Sequence, residues 1–229
     1  MGKQVLLIGC MPSLEDELRA HCANRLLDFV ALPDLRHPTL LGLLHTADAI
    51  VLHQGGTPRD LPDVCAHLRG HTHRPLLVML RDAAEDAIAE VLTAGADDAM
   101  AASTVPRELL ARLRAHLRRD QEYANGHVRP AVAVGELLLD TARHEVQVRG
   151  RAVELTPREF DLLEHLARHA GRAVRRQELL EKVWGYNSEM TTRTLDVHVG
   201  RLRRKVEHNP REPQMIVTVP GVGYKLKGG

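Results

Sequence analysis

TTRTLDVHVGRLRRKVE, residues 191–207, places Leu195, Val199, Leu202 and Val206 at successive spacings of 4, 3 and 4. That is the repeat of one helix face. Its other faces carry Arg193, Thr194, His198, Arg201, Arg203, Arg204 and Lys205, and Asp196 is the sole acid before Glu207. Asn209–Pro210 stops the helix, because proline neither donates a hydrogen bond nor fits a helix interior. A helix apolar on one side and arginine-rich on the other suits a DNA major groove. Arginine bonds guanine O6 and N7 in a fork and also grips phosphate. A solvated amphipathic helix shows the same pattern, so the flanking sequence has to decide.

Downstream, MIVTVPGVGYKLK (215–227) has two apolar arms around Pro220–Gly223, the pattern of a hairpin. Upstream lies TPREFDLLEHLARHAG (156–171). Thr156 is an N-cap, Pro157 suits the first helical position, and Glu159 closes a capping box. Phe160, Leu163, Leu166 and Ala167 form the buried face, and Gly171 ends the helix. A second helix is expected over about Arg176 to Val183, and the third from Thr191 or Thr192 to about Glu207. Before them Val134–Asp140, Glu145–Arg149 and Ala152–Leu155 alternate or run apolar like antiparallel strands, joined by turns at Asp140–His144 and Arg149–Arg151. Three helices flanked by strands and closed by a hairpin make the α+β layout of a winged helix-turn-helix.

The first half has a different rhythm. Val5–Ile8, Phe29–Leu32, Ala49–Leu52, Leu76–Leu80 and Ala99–Ala101 are apolar runs of strand length. Helical spacing fills about 13–24, 39–46, 60–69, 83–94 and 106–119, most clearly in the Leu109, Leu110, Leu113, Leu117 stripe. Five such units predict an α/β fold, a small doubly wound parallel sheet. Ligands of such sheets sit at the carboxyl ends of the strands, where Gly9–Cys10, His53 and Leu80 fall. DQEYANGHVRPA (120–131) reads as a linker. The expected division is therefore a regulatory domain over 1–120, a linker over 121–131 and a winged helix over 132–229.

Composition agrees with two ordinary cores. The 229 residues are 44% apolar but only 3% aromatic, so aliphatic side chains build the interior. Residues 1–120 carry 13 Lys and Arg against 16 Asp and Glu, whereas residues 121–229 carry 18 against 14. The excess of positive charge in the second half points that half toward a polyanion. Cys10, Cys22 and Cys65 are scattered and odd in number, which fits reduced thiols rather than a disulfide framework. No apolar run reaches transmembrane length. The expectation is a soluble cytoplasmic protein, with no membrane partner, no cofactor, no metal and no catalytic residue.

Residues 134–227 resemble the C-terminal effector domain of the OmpR/PhoB family of response regulators. The matching strings are VELTPREFDLLEHLARHAGRAVRRQELLEKVWGY (153–186), RTLDVHVGRLRRKVE (193–207) and VTVPGVGYKL (217–226). The resemblance implies a transcription regulator whose third helix reads the major groove while its wing touches the adjacent minor groove. It also implies dimers on direct-repeat half-sites of double-stranded DNA. Carried over by position, Arg193, Thr194, His198, Arg201, Arg203 and Arg204 are the implied groove and phosphate contacts, with Arg201 the first choice for base readout. Trp184 resembles a contact to the DNA backbone, and a core tryptophan is the competing reading. The loop 185–190 resembles a segment that meets RNA polymerase; a plain connection is equally good. Many relatives carry Arg just before the Gly-x-Gly-Tyr turn, where this chain has Pro220. Lys225 and Lys227 substitute only as point charges on phosphate.

Residues 3–119 resemble the family's receiver domain, best in GADDAMAASTVPRELLARLRAHLRR (95–119). Receivers phosphorylate an Asp at the end of the third strand, with an acidic pair holding Mg²⁺, a hydroxyl after the fourth strand and a Lys after the fifth. An aspartyl phosphate requires a carboxylate nucleophile, a hard cation on oxygen ligands and a basic partner. Here those positions read Gly9 and Cys10, His53, Leu80 and Ala102, with Ser103 where Pro is usual. The expectation is a receiver without a phosphorylation site. His53 is then either a packed residue, or with Cys10 part of a site for a ligand, metal, oxidant or proton.

In the family the fourth helix, fifth strand and fifth helix form a symmetric dimer face. The resemblance implies inter-subunit pairs Asp97 with Arg112 and Asp98 with Arg119. Glu108 has no basic counterpart because Ile88 stands there, adding apolar area instead. The expected protein is a DNA-binding homodimer that needs no phosphate, and a cognate histidine kinase is left open.

Overall fold

The computed structural model describes residues 2–22, 27–54, 60–124, 131–185 and 192–228, the side chains of 118–124 and Thr192 excepted. The chain divides into two compact units, 1–117 and 118–229.

The first unit alternates β1 (Lys3–Ile8), α1 (Pro12–His21), β2 (Leu27–Leu32), α2 (Leu40–Thr46), β3 (Ala49–His53), α3 (Leu61–Arg69), β4 (Leu76–Leu80), α4 (Glu85–Ala94), β5 (Asp98–Ala101) and α5 (Pro106–Ala124). The five strands are parallel in the order β2-β1-β3-β4-β5, as the alternating pattern predicts. β3 and β4 are buried throughout, which explains why they read as unbroken apolar runs. Side chains alternate between faces. Val5, Leu7, Val51, Leu77 and Met79 pack with Leu109, Leu110, Leu113 and Leu117 of α5, and Leu6, Ile8, Ile50 and Leu52 are buried on the opposite face. Register aligns Ile8 with Leu52, His53 with Met79, and Leu80 with Ala101, so the strand ends share one edge.

One boundary shifts. α5 continues to Ala124, so residues 121–124 are helical rather than linker. No Pro or Gly interrupts the sequence before Gly126, and a helix without a breaker propagates at small cost.

The second unit begins with an antiparallel sheet, β6 (Val132–Val134), β7 (Leu137–Asp140), β8 (Glu145–Val148) and β9 (Arg151–Ala152), in that order. Three helical segments follow: α6 (Pro157–Arg168), α7 (Arg176–Leu179) continuing as a π-helical turn over Leu180–Trp184, and α8 (Thr192–Val206). β10 (Val174–Arg175), β11 (Ile216–Val219) and β12 (Gly223–Leu226) form the closing sheet, in the order β10-β12-β11. The α6 capping box forms: the Thr156 hydroxyl accepts from the Glu159 N–H, and Glu159 accepts from the Thr156 N–H. Leu195, Val199, Leu202 and Val206 are fully buried against Phe160, Leu163, Leu166, Trp184 and Tyr224.

The β11–β12 hairpin turns through Pro220–Gly221, with the Val222 N–H on the Val219 carbonyl at 3.0 Å. Gly221 has φ +71°, and proline followed by glycine is the sequence such a turn demands. Gly223 has another reason: a Cβ there would lie 2.1 Å from the Val174 carbonyl oxygen.

Candidate nucleic-acid interface

α8 is anchored along both flanks. On one side Glu159, fully buried in the first turn of α6, forms an ion pair with Arg201 Nε at 2.8 Å and accepts a hydrogen bond from Lys205 Nζ at 2.7 Å. Burial alone would raise the Glu159 pKa. Arg201 and Lys205, with the Thr156 N–H, outweigh it and hold the carboxyl below its ordinary range. On the other side Arg203 donates to the Ile216 carbonyl and to Thr218 Oγ1, each at 2.9 Å. These bonds join the helix to the first wing strand.

Asp196 bonds both Arg176 of α7 and the Tyr224 hydroxyl of β12, and Arg176 lies over the Tyr224 ring at 5.1 Å. Burial and then the Asp196 carboxylate push the Tyr224 pKa up to about 12. At the helix end, the Arg149 Nη2 donates to the Val206 carbonyl at 3.1 Å, satisfying an acceptor that the helix leaves open. The Glu207 carboxylate accepts from the N–H groups of Gln214, Met215 and Ile216 at 2.8–3.1 Å, which fixes how the chain enters the wing.

The arginine face is therefore smaller than its composition suggests. Arg201 is 6% exposed, Thr194 2% and His198 0%. His198 Nδ1 bonds the Thr194 carbonyl at 2.8 Å, and its ring stands edge-on to Trp184 at 5.1 Å. Arg201, the expected first reader of bases, faces α6, and Trp184, expected at the DNA backbone, is a core residue with no exposure. For Trp184 the core reading matches its burial, and Thr194, His198 and Arg201 share one cause of theirs. At 100° per residue these positions flank the apolar stripe, and Glu159 and the Trp184 ring occupy that flank. Arg203 is half-buried at the wing. The outward stripe is Arg193, Val197, Gly200 and Arg204, at spacings of 4, 3 and 4, with both arginines exposed. Lys225 of the wing is partly exposed, and Pro220 and Val222 form its exposed tip. Residues 186–191, most of the expected polymerase-facing loop, lie outside the described residues.

In the first unit, Gly9, His53, Leu80 and Ala102 do gather at the carboxyl edge of the sheet, since each ends or follows a strand. Their chemistry is apolar or neutral. Burial, and secondly Arg81, lower the His53 pKa, while a hydrogen bond to the Gly9 backbone opposes them. Burial, and secondly Glu15, push the Cys10 thiol up to about 12, which disfavours a standing thiolate there. Among the described residues no group of three metal-ligating side chains includes Cys10 or His53.

The acids expected in inter-subunit pairs have partners within the chain. Asp97 pairs with Arg69 of α3 at 2.6 Å and also accepts from the Leu76 N–H. Asp98 pairs with Arg112 at 3.1 Å, and Arg112 takes Glu108 one turn away at 2.7 Å. Neighbouring residues of a strand point to opposite faces, so Asp97 and Asp98 serve different helices of their own chain. Ile88 is half-buried on α4, and the Arg119 side chain lies outside the described residues.

Comparison with known proteins gives a consistent picture. The family described as "Transcriptional regulatory protein, C terminal" matches residues 150–226. The sensory transduction protein RegX3 of Mycobacterium tuberculosis is 43% identical over 171 residues, covering 72% of this chain and 73% of that protein. The DNA-binding response regulator MtrA of Mycolicibacterium smegmatis is 41% identical over 165 residues, covering 71% and 70%. Among solved structures, a mutant of RitR aligns over all of both chains with TM-score 0.71 at 24% identity, a likeness of fold.

Proposed function

Since the chain belongs to the OmpR/PhoB family of response regulators and is a DNA-binding transcriptional regulator of that type, we propose that it binds direct-repeat DNA as a homodimer without aspartyl phosphorylation. The supporting observation is the carboxyl edge of the parallel sheet. It offers Gly9 and Cys10, His53, Leu80 and Ala102 where the phosphotransfer chemistry of relatives needs acids, a nucleophilic carboxylate, a hydroxyl and a lysine. No carboxylate stands at the end of β3 to accept a phosphoryl group.

DNA recognition in this reading uses the outward stripe of α8. Arg193 and Arg204 reach base edges or phosphates, Val197 and Gly200 permit close approach, and Lys225 meets the backbone beside the wing. Arg201, Arg203, Thr194, His198 and Trp184 set the angle of the helix. Dimerisation through α4, β5 and α5 would use Ile88 and the outer surface of α5, because Asp97, Asp98, Glu108 and Arg112 have partners within the chain. Two linked half-sites gain affinity through effective concentration.

The test uses full-length protein and direct-repeat DNA selected with it. Footprinting at fixed salt is expected to show both half-sites filling together. Acetyl phosphate with Mg²⁺ is expected to change neither protein mass nor half-occupancy. A phosphoryl adduct that tightens binding would overturn the phosphorylation-independent reading.

A further inference from the structure

The second unit carries a cluster outside the stripe proposed to meet DNA. His165 lies in the last turn of α6, His169 caps that helix, and Glu178 is the third residue of α7. Their ligating atoms all lie within 4.8 Å of one another, and all three residues are half-buried. His165 Nε2 is 3.3 Å from Glu178 Oε1. The two rings, four residues apart, stand 4.5 Å apart between centroids.

We propose that His165, His169 and Glu178 form a binding site for a divalent transition ion of the zinc class. This departs from the sequence reading, which expected no metal.

Three arguments carry it. The first is distance. An ion about 2.0–2.2 Å from each nitrogen and oxygen of a tetrahedral shell holds its ligand atoms roughly 3.3–3.6 Å apart. The His165–Glu178 separation already has that value, and small side-chain rotations bring in His169.

The second is tautomer. His169 Nδ1 sits 2.8 Å from the His165 carbonyl oxygen. A carbonyl only accepts, so Nδ1 carries the proton and Nε2 keeps its lone pair. A backbone acceptor on the second ring nitrogen is the usual way a ligating histidine is oriented.

The third is ligand type. Two imidazoles and one carboxylate leave a fourth position for water and suit zinc, copper or nickel better than calcium or magnesium.

Arg172 competes, since its Nη2 donates to Glu178 Oε1 at 2.6 Å. It is 54% exposed and can swing into water as the ion enters. The bound ion would clamp the end of α6 to the start of α7. Glu178 lies two residues from Arg176, which ties α7 to Asp196 of α8, so the clamp adjoins the support of the recognition helix.

A second helical pair, His67 and His71, has rings 4.7 Å apart. No carboxylate completes a three-ligand group with it among the described residues, so it serves as the internal control.

The experiment is calorimetric titration of chelator-stripped, full-length protein with Zn²⁺, alongside thermal melting. Wild type is expected to bind about one ion at this site and, with the ion in hundredfold excess over Kd, to melt roughly 3 °C higher or more. His169→Ala and Glu178→Gln are each expected to lower the affinity at least tenfold, consistent with loss of a ligand. The paired His67→Ala, His71→Ala variant is expected to keep it. Circular dichroism verifies that each variant is folded, and Glu178→Gln keeps the test alive if His169→Ala is not. Absence of Zn²⁺ binding by wild type up to millimolar concentration overturns the proposal, as does binding that neither variant weakens. None of these readouts depends on DNA.

Discussion

Glu159 Oε1 in the first turn of α6 lies 2.8 Å from Arg201 Nε in α8, with both side chains withdrawn from water. Removing one partner of such a pair strands a buried charge. Glu159→Ala is therefore expected to cost about 3 kcal/mol in urea denaturation. Arg201→Ala is expected to weaken DNA binding by disturbing the seat of α8, and so without relaxing preference at any one base pair. A binding matrix that loses specificity at a single position would make Arg201 a reader after all.

The same carboxylate predicts a pH dependence. Glu159 has a folded pKa below its ordinary 4.5, so the unfolded chain binds its proton more readily. Its contribution is complete above that ordinary value and is lost as pH falls through the lower, folded one. Stability curves of wild type and Glu159→Gln are expected to converge on acidification. Parallel curves below pH 4.5 would deny Glu159 this role.

Gly200 sits on the outward stripe of α8, and an added Cβ there meets nothing within 4 Å. Gly200→Ala is expected to raise stability by about 0.5–1 kcal/mol, since glycine weakens a helix interior. DNA affinity is expected to fall if the helix backbone approaches the groove at this point. Melting and fluorescence anisotropy on one sample read both.

Two glycines of the wing should differ. Gly221→Ala meets only the strain of a positive φ, roughly 1–2 kcal/mol. Gly223→Ala drives a methyl group into the Val174 carbonyl and is expected to cost more and to dislodge β12 from β10. Equal stabilities would mean the wing shifts freely.

Arg193→Ala and Arg204→Ala are expected to leave the protein folded. Each should lower the slope of log affinity against log salt by about 1 if it neutralises a phosphate. A constant slope with altered base preference would place that arginine on a base edge instead.

A carboxylate placed at the end of β3 tests the proposed loss of phosphotransfer. His53→Asp is expected to gain no phosphoryl group from acetyl phosphate, because Gly9 and Cys10 cannot hold a cation beside it. Intact-mass spectrometry decides, and an 80 Da adduct on the variant, roughly one phosphoryl group, would mean other oxygens supply the ion site.

The fold was legible because its signals are local. β3 and β4 are apolar runs of strand length, and Thr156 with Glu159 announces the start of α6. The hidden features depend on residues far apart in sequence. Arg201 looks like a surface arginine until Glu159 is brought beside it, and Asp97 cannot be separated from Asp98 without knowing which faces α3. The π-helical turn ending in Trp184 was also illegible: Arg158 takes the Val183 carbonyl there, a tertiary contact with no local pattern. Glu207 gives no sequence sign that it will gather three backbone N–H groups. Only the exposure of Arg193 and Arg204 follows from helical phase, since they oppose the apolar stripe.

The double anchoring of α8 has a mechanical consequence. With Arg201 and Lys205 fastened to α6 and Arg203 fastened to the first wing strand, rolling the helix about its axis breaks bonds on both sides. If α8 reads DNA as proposed, a helix so anchored leaves the protein little adaptation to imperfect operators. The duplex has to supply it, by bending or by adjusting groove width, and sites with pliable pyrimidine–purine steps should tolerate more mismatches than rigid A-tracts.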